Sequence, residues 1–249
     1  MTSSLYSDHA LATFYDAAAS KERKDFAFCV SLAEKARTVL DLGCGTGELA
    51  VALAGKPGGK NVVGVDPAKG MLALAAARKG GQNVEWLRGD ARTVRLDRTF
   101  DLIILTGHAF QVFLEDEDRQ ACLTTIAAHL ASGGVFAFDS RNPDFPGSKE
   151  RTREQTETRF QHRELGAVKA WNISSYDAET RILTYSNHYT VLATGEEHSG
   201  TDRIAYTPQS ELADLVEAAG LRVDHWLGDW DGSAFHATAY DIIPVGGLA

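Results

Sequence analysis

Val39-Leu40-Asp41-Leu42-Gly43-Cys44-Gly45-Thr46-Gly47-Glu48-Leu49-Ala50 runs without a break from an apolar segment into a G-x-G-x-G turn and then into a helical segment. The apolar run suits a buried strand, and the spaced glycines let the backbone turn sharply and approach a ligand with no side chain in the way. Strand, glycine turn and helix in that order open a parallel α/β unit. The next residues discriminate among ligands. A dinucleotide fingerprint places Gly or Ala three positions after the second glycine, where this chain has Glu48, whose carboxylate would repel a pyrophosphate. A phosphate-cradling loop needs Gly-Lys-Ser/Thr, which does not follow. The turn favours a ligand without phosphates, and a nucleotide-dependent oxidoreductase is the weaker alternative.

The pattern repeats outward from this stretch. Apolar or β-branched runs at 38–42, 61–66, 84–88, 100–105 and 134–139 alternate with longer segments of helical period. FDLIIL (100–105) and VFAFD (135–139) are the runs expected of central strands in a parallel sheet. Acids at 115–118 mark a helix start, Leu123, Ile126, Ala127 and Leu130 its buried face, and Ser132, Gly133 and Gly134 its close. A later helix takes Thr207 as N-cap and Pro208 in its first turn, buries Leu212, Leu215, Val216 and Ala219, and stops at Gly220. Between 150 and 206 the chain reads as extended segments separated by the turns DAET and ATGEE. They form an antiparallel insertion packed over the end of the main sheet, with Leu183, Tyr185, Tyr189 and Val191 on one face.

Composition narrows the partners. The 249 residues suffice for one large domain, and 25 Lys+Arg against 34 Asp+Glu give a net charge of −9. No broad basic surface is expected, which argues against nucleic acid. Cys29, Cys44 and Cys122 lack the spacing of a zinc site or a disulfide framework and fit a reducing, cytoplasmic setting. No apolar run reaches the roughly 18 residues of a membrane span. The start MTSSLYSDHALATFYD lacks the basic and then apolar regions of a signal peptide, so no membrane is expected, and the cysteine and histidine spacing leaves no metal expected.

Two acids follow the glycine turn at consecutive strand ends. Asp66 lies 23 positions after Gly43, where a carboxylate accepts hydrogen bonds from both ribose hydroxyls; the alternative is a cap on the following helix, with Pro67 in its first turn. Asp90 stands where it can accept from an exocyclic amine such as that of adenine. Together they describe a nucleoside-sized site at the carboxyl edge of the sheet.

At this point DLGCGTG (41–47), GVDPAKGML (64–72), RGDA (88–91) and FDLIIL (100–105), in that order, resemble the successive motifs of the class I S-adenosylmethionine-dependent methyltransferases, small-molecule type. The resemblance runs from about residue 30 to the end. It implies a doubly wound, seven-stranded, mostly parallel, Rossmann-like α/β sheet with an antiparallel β insertion after the fifth strand. Residues 1–149 and 207–249 would form the cofactor-binding domain, 1–37 a helical lid, and 150–206 the insertion and acceptor-site wall. Leu221–Leu227, the turn GDWDGS and 234–244 would form the closing hairpin. The implied cofactor is S-adenosylmethionine, with S-adenosylhomocysteine as product and no metal. By position, Gly43, Cys44, Gly45 and Gly47 border its methionine part, and Asp66, with Pro67 beside it, holds the ribose. Met71 packs on the adenine, and Asp90 with Ala91 binds its amine and ring edge. Thr106 and Gly107 border the site at the fourth strand end, and Tyr15 contacts the cofactor from the lid.

The acceptor side is less specified. No Asn-Pro-Pro-Tyr or Asp-Pro-Pro-Tyr follows the fourth strand, unlike the enzymes that methylate nucleic-acid bases or glutamine, and with the acidic charge this points to a small-molecule acceptor methylated at nitrogen or oxygen. His108 is the candidate general base or acceptor-orienting group, because histidine titrates near neutrality. Phe110, Arg141, Asp229 and Trp230 are candidate acceptor contacts; Arg141 alternatively pairs with a surface acid, and Asp229 and Trp230 alternatively only form the turn. The insertion resembles that of family members acting on amino sugars and related amines, where it forms a pocket wall or an oligomer contact, so a homodimer is an option. The competing function is a non-catalytic protein that binds S-adenosylmethionine or a nucleoside.

Overall fold

Five apolar segments form parallel strands because their β-branched and aromatic residues suit a surface buried on both faces. The computed structural model describes residues 9–18, 23–56 and 59–249. Helices α1 (His9–Ala18) and α2 (Lys24–Leu32) precede β1 (Thr38–Leu42), α3 (Glu48–Ala54), β2 (Asn61–Asp66), α4 (Lys69–Ala77), β3 (Val84–Arg88) and β4 (Phe100–Leu105). Then come α5 (Asp116–His129), β5 (Leu130–Phe138) and the two-residue β6 (Ser140–Arg141). The short α6 (Arg153–Thr156) leads into β7 (Thr158–His162), β8 (Gly166–Asp177), β9 (Ile182–Val191) and β10 (Glu197–Ala205). Helix α7 (Gln209–Ala218), β11 (Leu221–Leu227) and β12 (Asp241–Leu248) complete the chain.

The main sheet has the order β11-β12-β5-β4-β1-β2-β3, parallel except for β12, which runs antiparallel to both neighbours. Alternation along the strands divides the core into two layers. Leu40, Leu42, Phe136 and Phe138 face Leu123 and Ile126 of α5 and Leu212 and Val216 of α7. Val39, Val62, Leu102 and Ala137 face Cys29 of α2 and Leu49 and Leu53 of α3. The antiparallel insertion is a separate sheet of order β10-β9-β8-β7. Helix α1 joins the two sheets: Leu11 and Phe14 pack on Val168, Ala170, Tyr189 and Val191 of the insertion, while Ala12 meets Ala68 and Met71. The Phe14 ring stacks on Tyr189 at 4.7 Å.

Boundaries differ from the sequence reading in three places. The fifth strand begins at Leu130 rather than Gly134, because Leu130 already pairs with Phe100 and the glycines follow as a bulge, Gly134 so close to Phe100 O that a Cβ would lie 2.9 Å from it. Helix α7 starts one residue late, at Gln209, so Pro208, not Thr207, flanks it. The last continuous strand begins at Asp241, and Ala234 keeps only an isolated antiparallel bridge to Leu227. Residues 235–240 form a loop that Asn142 holds by donating from Nδ2 to Ala237 O at 2.9 Å and Ala239 O at 2.8 Å. Residues 1–8 and 19–22 of the expected lid lie outside the described residues.

Candidate active site

The glycine turn is built by positive backbone angles that only glycine adopts readily. Gly43, Gly45 and Gly47 have φ of 67°, 54° and 75°. The amides of Gly43 and Cys44 both donate to Val65 O, at 2.8 and 3.1 Å, which locks the turn to β2. The glycines do different work. A Cβ on Gly47 would sit 2.4 Å from the Trp86 ring and 2.7 Å from Ala75, so this position is closed by packing. A Cβ on Gly45 would meet nothing within 4 Å, nor would one on Gly107 beyond β4, so these two backbones border open space where a ligand can approach.

Asp66 braces the turn. Its Oδ2 accepts from Gly45 N at 2.9 Å and its Oδ1 from Ala68 N at 2.8 Å. Burial pushes its carboxyl up and the two amides oppose the shift. At the end of β1, Asp41 is 2 % exposed and pushed up to about 8, by burial first and then by Asp66, with Arg23 opposing and Asp25 adding. Asp139, 1 % exposed after β5, is raised by burial while His108 pulls the other way. The carboxyl edge of the sheet thus gathers buried acids, a setting that favours a cationic ligand over an anionic one. Asp90 differs. It is half-exposed and held low by Arg92, whose Nε and Nη2 donate to it at 3.0 and 2.6 Å while Nη1 reaches Asp118 at 2.9 Å.

His108 adopts φ 63°, ψ 23° where β4 turns into the next segment. Its amide donates to Asp139 Oδ1 at 2.9 Å, and its Nε2 lies 3.3 Å from Asp241 Oδ1 and 3.5 Å from Asp139 Oδ2. The Trp230 indole donates to Asp139 Oδ2 at 3.4 Å. A carboxylate oxygen accepts, so Nε2, which faces both acids, is the nitrogen placed to donate to them, and Nδ1 is the ring nitrogen that neither engages. Asp241 comes from the first residue of β12, 133 positions from His108. Sequence reasoning missed it and gave Asp139 no role at the site. The available signal for Asp241 was one acid heading the otherwise apolar run IIPVGGL. Arg141 stacks 4.0 Å over the Tyr240 ring with Nη1 4.0 Å from Asp241 Oδ1.

Other expected site residues fall in varied places. Gly43, Gly45, Asp66, Thr106 and Gly107 are brought to one edge by β1, β2 and β4. The Cys44 thiol, raised by burial, has its Sγ 3.0 Å from where a Cβ on Gly64 would lie. Pro67 is exposed and precedes α4, and its carbonyl accepts from Arg88 Nε. Met71 lies buried beneath α1 and Ala91 is buried in the main core. Tyr15 is half-exposed on α1. Phe110 is a correction as a direct acceptor contact: it is 1 % exposed and stacks on Phe138 at 4.4 Å, so it is core. Asp229 is a second correction, because its carboxylate ion-pairs with Lys24 at 2.7 Å on the surface, whereas Trp230 turns inward to Asp139. No group of three or more His, Cys, Asp or Glu side chains suits a metal ion among the described residues.

Residues 39–134 match the family model described as methyltransferase domain. A cypemycin N-terminal methyltransferase from Streptomyces sp. is 39% identical over 107 residues, 43% of this chain and 43% of that protein, so the match spans under half of each. The CcbJ methyltransferase from Streptomyces caelestis has the same fold over 98% of both chains, with a TM-score of 0.79 and 23% identity. CalS10 from Micromonospora echinaspora, an amino pentose methyltransferase solved with S-adenosylmethionine, aligns over 96% of this chain and 97% of its own, with a TM-score of 0.73 and 22% identity. The matched segment holds the glycine turn, Asp66, Asp90 and His108, and the whole-chain likeness extends the fold through the insertion and the closing hairpin. Residues 39–134 thus carry the match to a methyltransferase domain, and the chain as a whole shares the fold of these solved methyltransferases.

Proposed function

We propose that this chain binds S-adenosylmethionine at the carboxyl edge of β1, β2, β3 and β4 and transfers its methyl group to a nitrogen or oxygen of a small molecule. The observation that carries this reading is the joint one of an open glycine turn braced by Asp66 and a histidine with its Nε2 turned to buried carboxylates. The residues present fit the cofactor. The open backbone at Gly45 and Gly107 leaves room for it, and Asp66 and Asp139 favour its sulfonium and ammonium charges. Asp66 and Asp90 would hold the ribose and the adenine amine, Asp90 while keeping its bond to Arg92. When bound, the cofactor supplies a methyl group on a good leaving group, so that methyl transfer needs alignment and a free lone pair on the acceptor.

His108 supplies that lone pair by taking the acceptor proton on Nδ1, while Asp241 and Asp139 hold the ring through Nε2. Helix α1 and the insertion, joined through Phe14 and Tyr189, would cover the site and exclude water, as lid and acceptor wall. The test is calorimetric titration with S-adenosylmethionine, S-adenosylhomocysteine and NAD, with Asp66→Ala as control. Binding of the first two, lost in the variant while its unfolding remains cooperative, is the expected result. Binding of NAD alone would overturn the reading, and cofactor binding with no turnover across amine and alcohol acceptors would leave a non-catalytic binder.

A further inference from the structure

In a chain of net charge −9, three cations cluster on the connection between β5 and the insertion. They are Arg141, which ends β6, and Lys149 and Arg151, which follow it. Lys149 Nζ lies 5.0 Å from the Tyr176 ring, and the rings of Tyr176 and Tyr206 are 5.3 Å apart. The buried Tyr206 hydroxyl is pushed up mainly by burial, while the fields of Arg141 and Arg151 pull it down. Arg141 is the inner member. Its Nη1 is buried with no hydrogen-bond partner, and the Asp241 oxygen 4.0 Å away is already engaged by His108 Nε2. Arg151 is exposed, its backbone pairing with Ser174. A buried guanidinium nitrogen without an acceptor is costly, and an incoming oxyanion would remove that cost.

We infer that Arg141, with Arg151 and Tyr206, forms an oxyanion subsite of the acceptor pocket, so that the methyl acceptor is a small amine or alcohol that also carries a carboxylate. The subsite rests on the methyl-transfer reading above. His108 and Arg141 approach the same oxygen of Asp241, Nε2 at 3.3 and Nη1 at 4.0 Å, so an acceptor held by Arg141 and giving its proton to Nδ1 would carry nucleophile and carboxylate a few bonds apart. A carboxylate fits better than a phosphate. The planar guanidinium fork matches its two oxygens, and the second charge of a phosphate would be repelled by Asp139 and Asp241.

The test titrates the whole protein, with and without S-adenosylhomocysteine, with acetate, acetamide and inorganic phosphate at constant ionic strength, and follows the thermal midpoint and tryptophan fluorescence. Acetate should give a saturable response that phosphate gives more weakly and acetamide does not. Arg141→Ala should abolish it, Arg151→Ala should weaken it by about tenfold or more, and Arg141→Lys should keep part of it. A response no larger than that to chloride, or one that survives in both alanine variants, overturns the subsite, and tighter binding of phosphate overturns the choice of carboxylate. Calorimetry with S-adenosylhomocysteine on the same proteins separates the two readings. Its failure to bind sinks the methyltransferase reading, whereas its binding without an anion response sinks only the subsite.

Discussion

The two sides of the candidate site are assembled in opposite ways. On the cofactor side, Gly43 to Asp90 lie within one run of alternating strands and helices, and the contacts that shape the turn join residues close in sequence, such as Gly45 N to Asp66 at a separation of 21. On the acceptor side, His108 meets Asp139 and Asp241, the farther 133 positions away, and Trp230 reaches the same Asp139. The first side depends on backbone geometry that local residues impose. The second depends on where β5, β12 and the loop between β11 and β12 are laid beside one another, so it can vary while the first is kept. The family match, which ends at residue 134, covers the first side and, of the second, His108 but none of its partners.

If this contrast is right, damage to the glycine turn should be structural and damage at His108 should be chemical. The largest effect is expected for Gly47→Val, which drives a branched side chain into Trp86 and Ala75 at a positive φ. It should cost about 3 kcal/mol or more in chemical denaturation; a loss below about 1 kcal/mol would show that Trp86 has room to move. Next comes His108→Ala, expected to lower kcat by about 10² to 10⁴ while cofactor affinity stays within a factor of about two. Equal losses in affinity and turnover would dissolve the division between the two sides. Asp241→Asn should act more mildly through the same imidazole, lowering kcat by about tenfold and changing the pH profile of kcat. An unchanged profile would make Asp241 a structural residue only.

A smaller effect is expected from pH on the cofactor side alone. With Asp41 pushed from 3.8 up to about 8, the folded chain keeps a proton across that interval that the unfolded chain has lost. The stability this group contributes is therefore full below about pH 4 and declines as pH rises through about 8. Asp41→Asn should flatten the fall in urea midpoint between pH 5 and 8, and parallel profiles for the two proteins would refute the assignment. The smallest effect is expected for Arg92→Ala. Its pairs with Asp90 and Asp118 are about one-third exposed, so the loss should stay under about 1 kcal/mol by urea denaturation despite the short distances.

Much of this molecule was legible from residue order because the information was local. Asp41-Leu42-Gly43 through Gly47, then Asp66 and Asp90, are spaced by the length of one strand, one turn and one helix, so a linear pattern carries a three-dimensional site. FDLIIL announced a strand buried on both faces, and the alternation in β9 announced which face of the insertion would pack. Boundaries were less legible wherever tertiary pairing overrode a local stop. Gly133 and Gly134 look like a helix end but form a bulge in β5 because Leu130 pairs with Phe100. Residues 235–240 look like strand but are held as a loop by Asn142 from another element.

What the chain determined by itself is the parallel α/β frame, the glycine turn and the acids that follow it, since backbone φ, strand periodicity and helix length are properties of neighbours. What only the tertiary structure decided is which polar groups meet: that Phe110 enters the core, that Asp229 turns out to Lys24 while Trp230 turns in, and that an aspartate from the last strand meets His108. Each of these is a choice between burial and solvent for a side chain whose partners lie far along the chain. That choice has no local signature, because its energy is set by the packing that surrounds it.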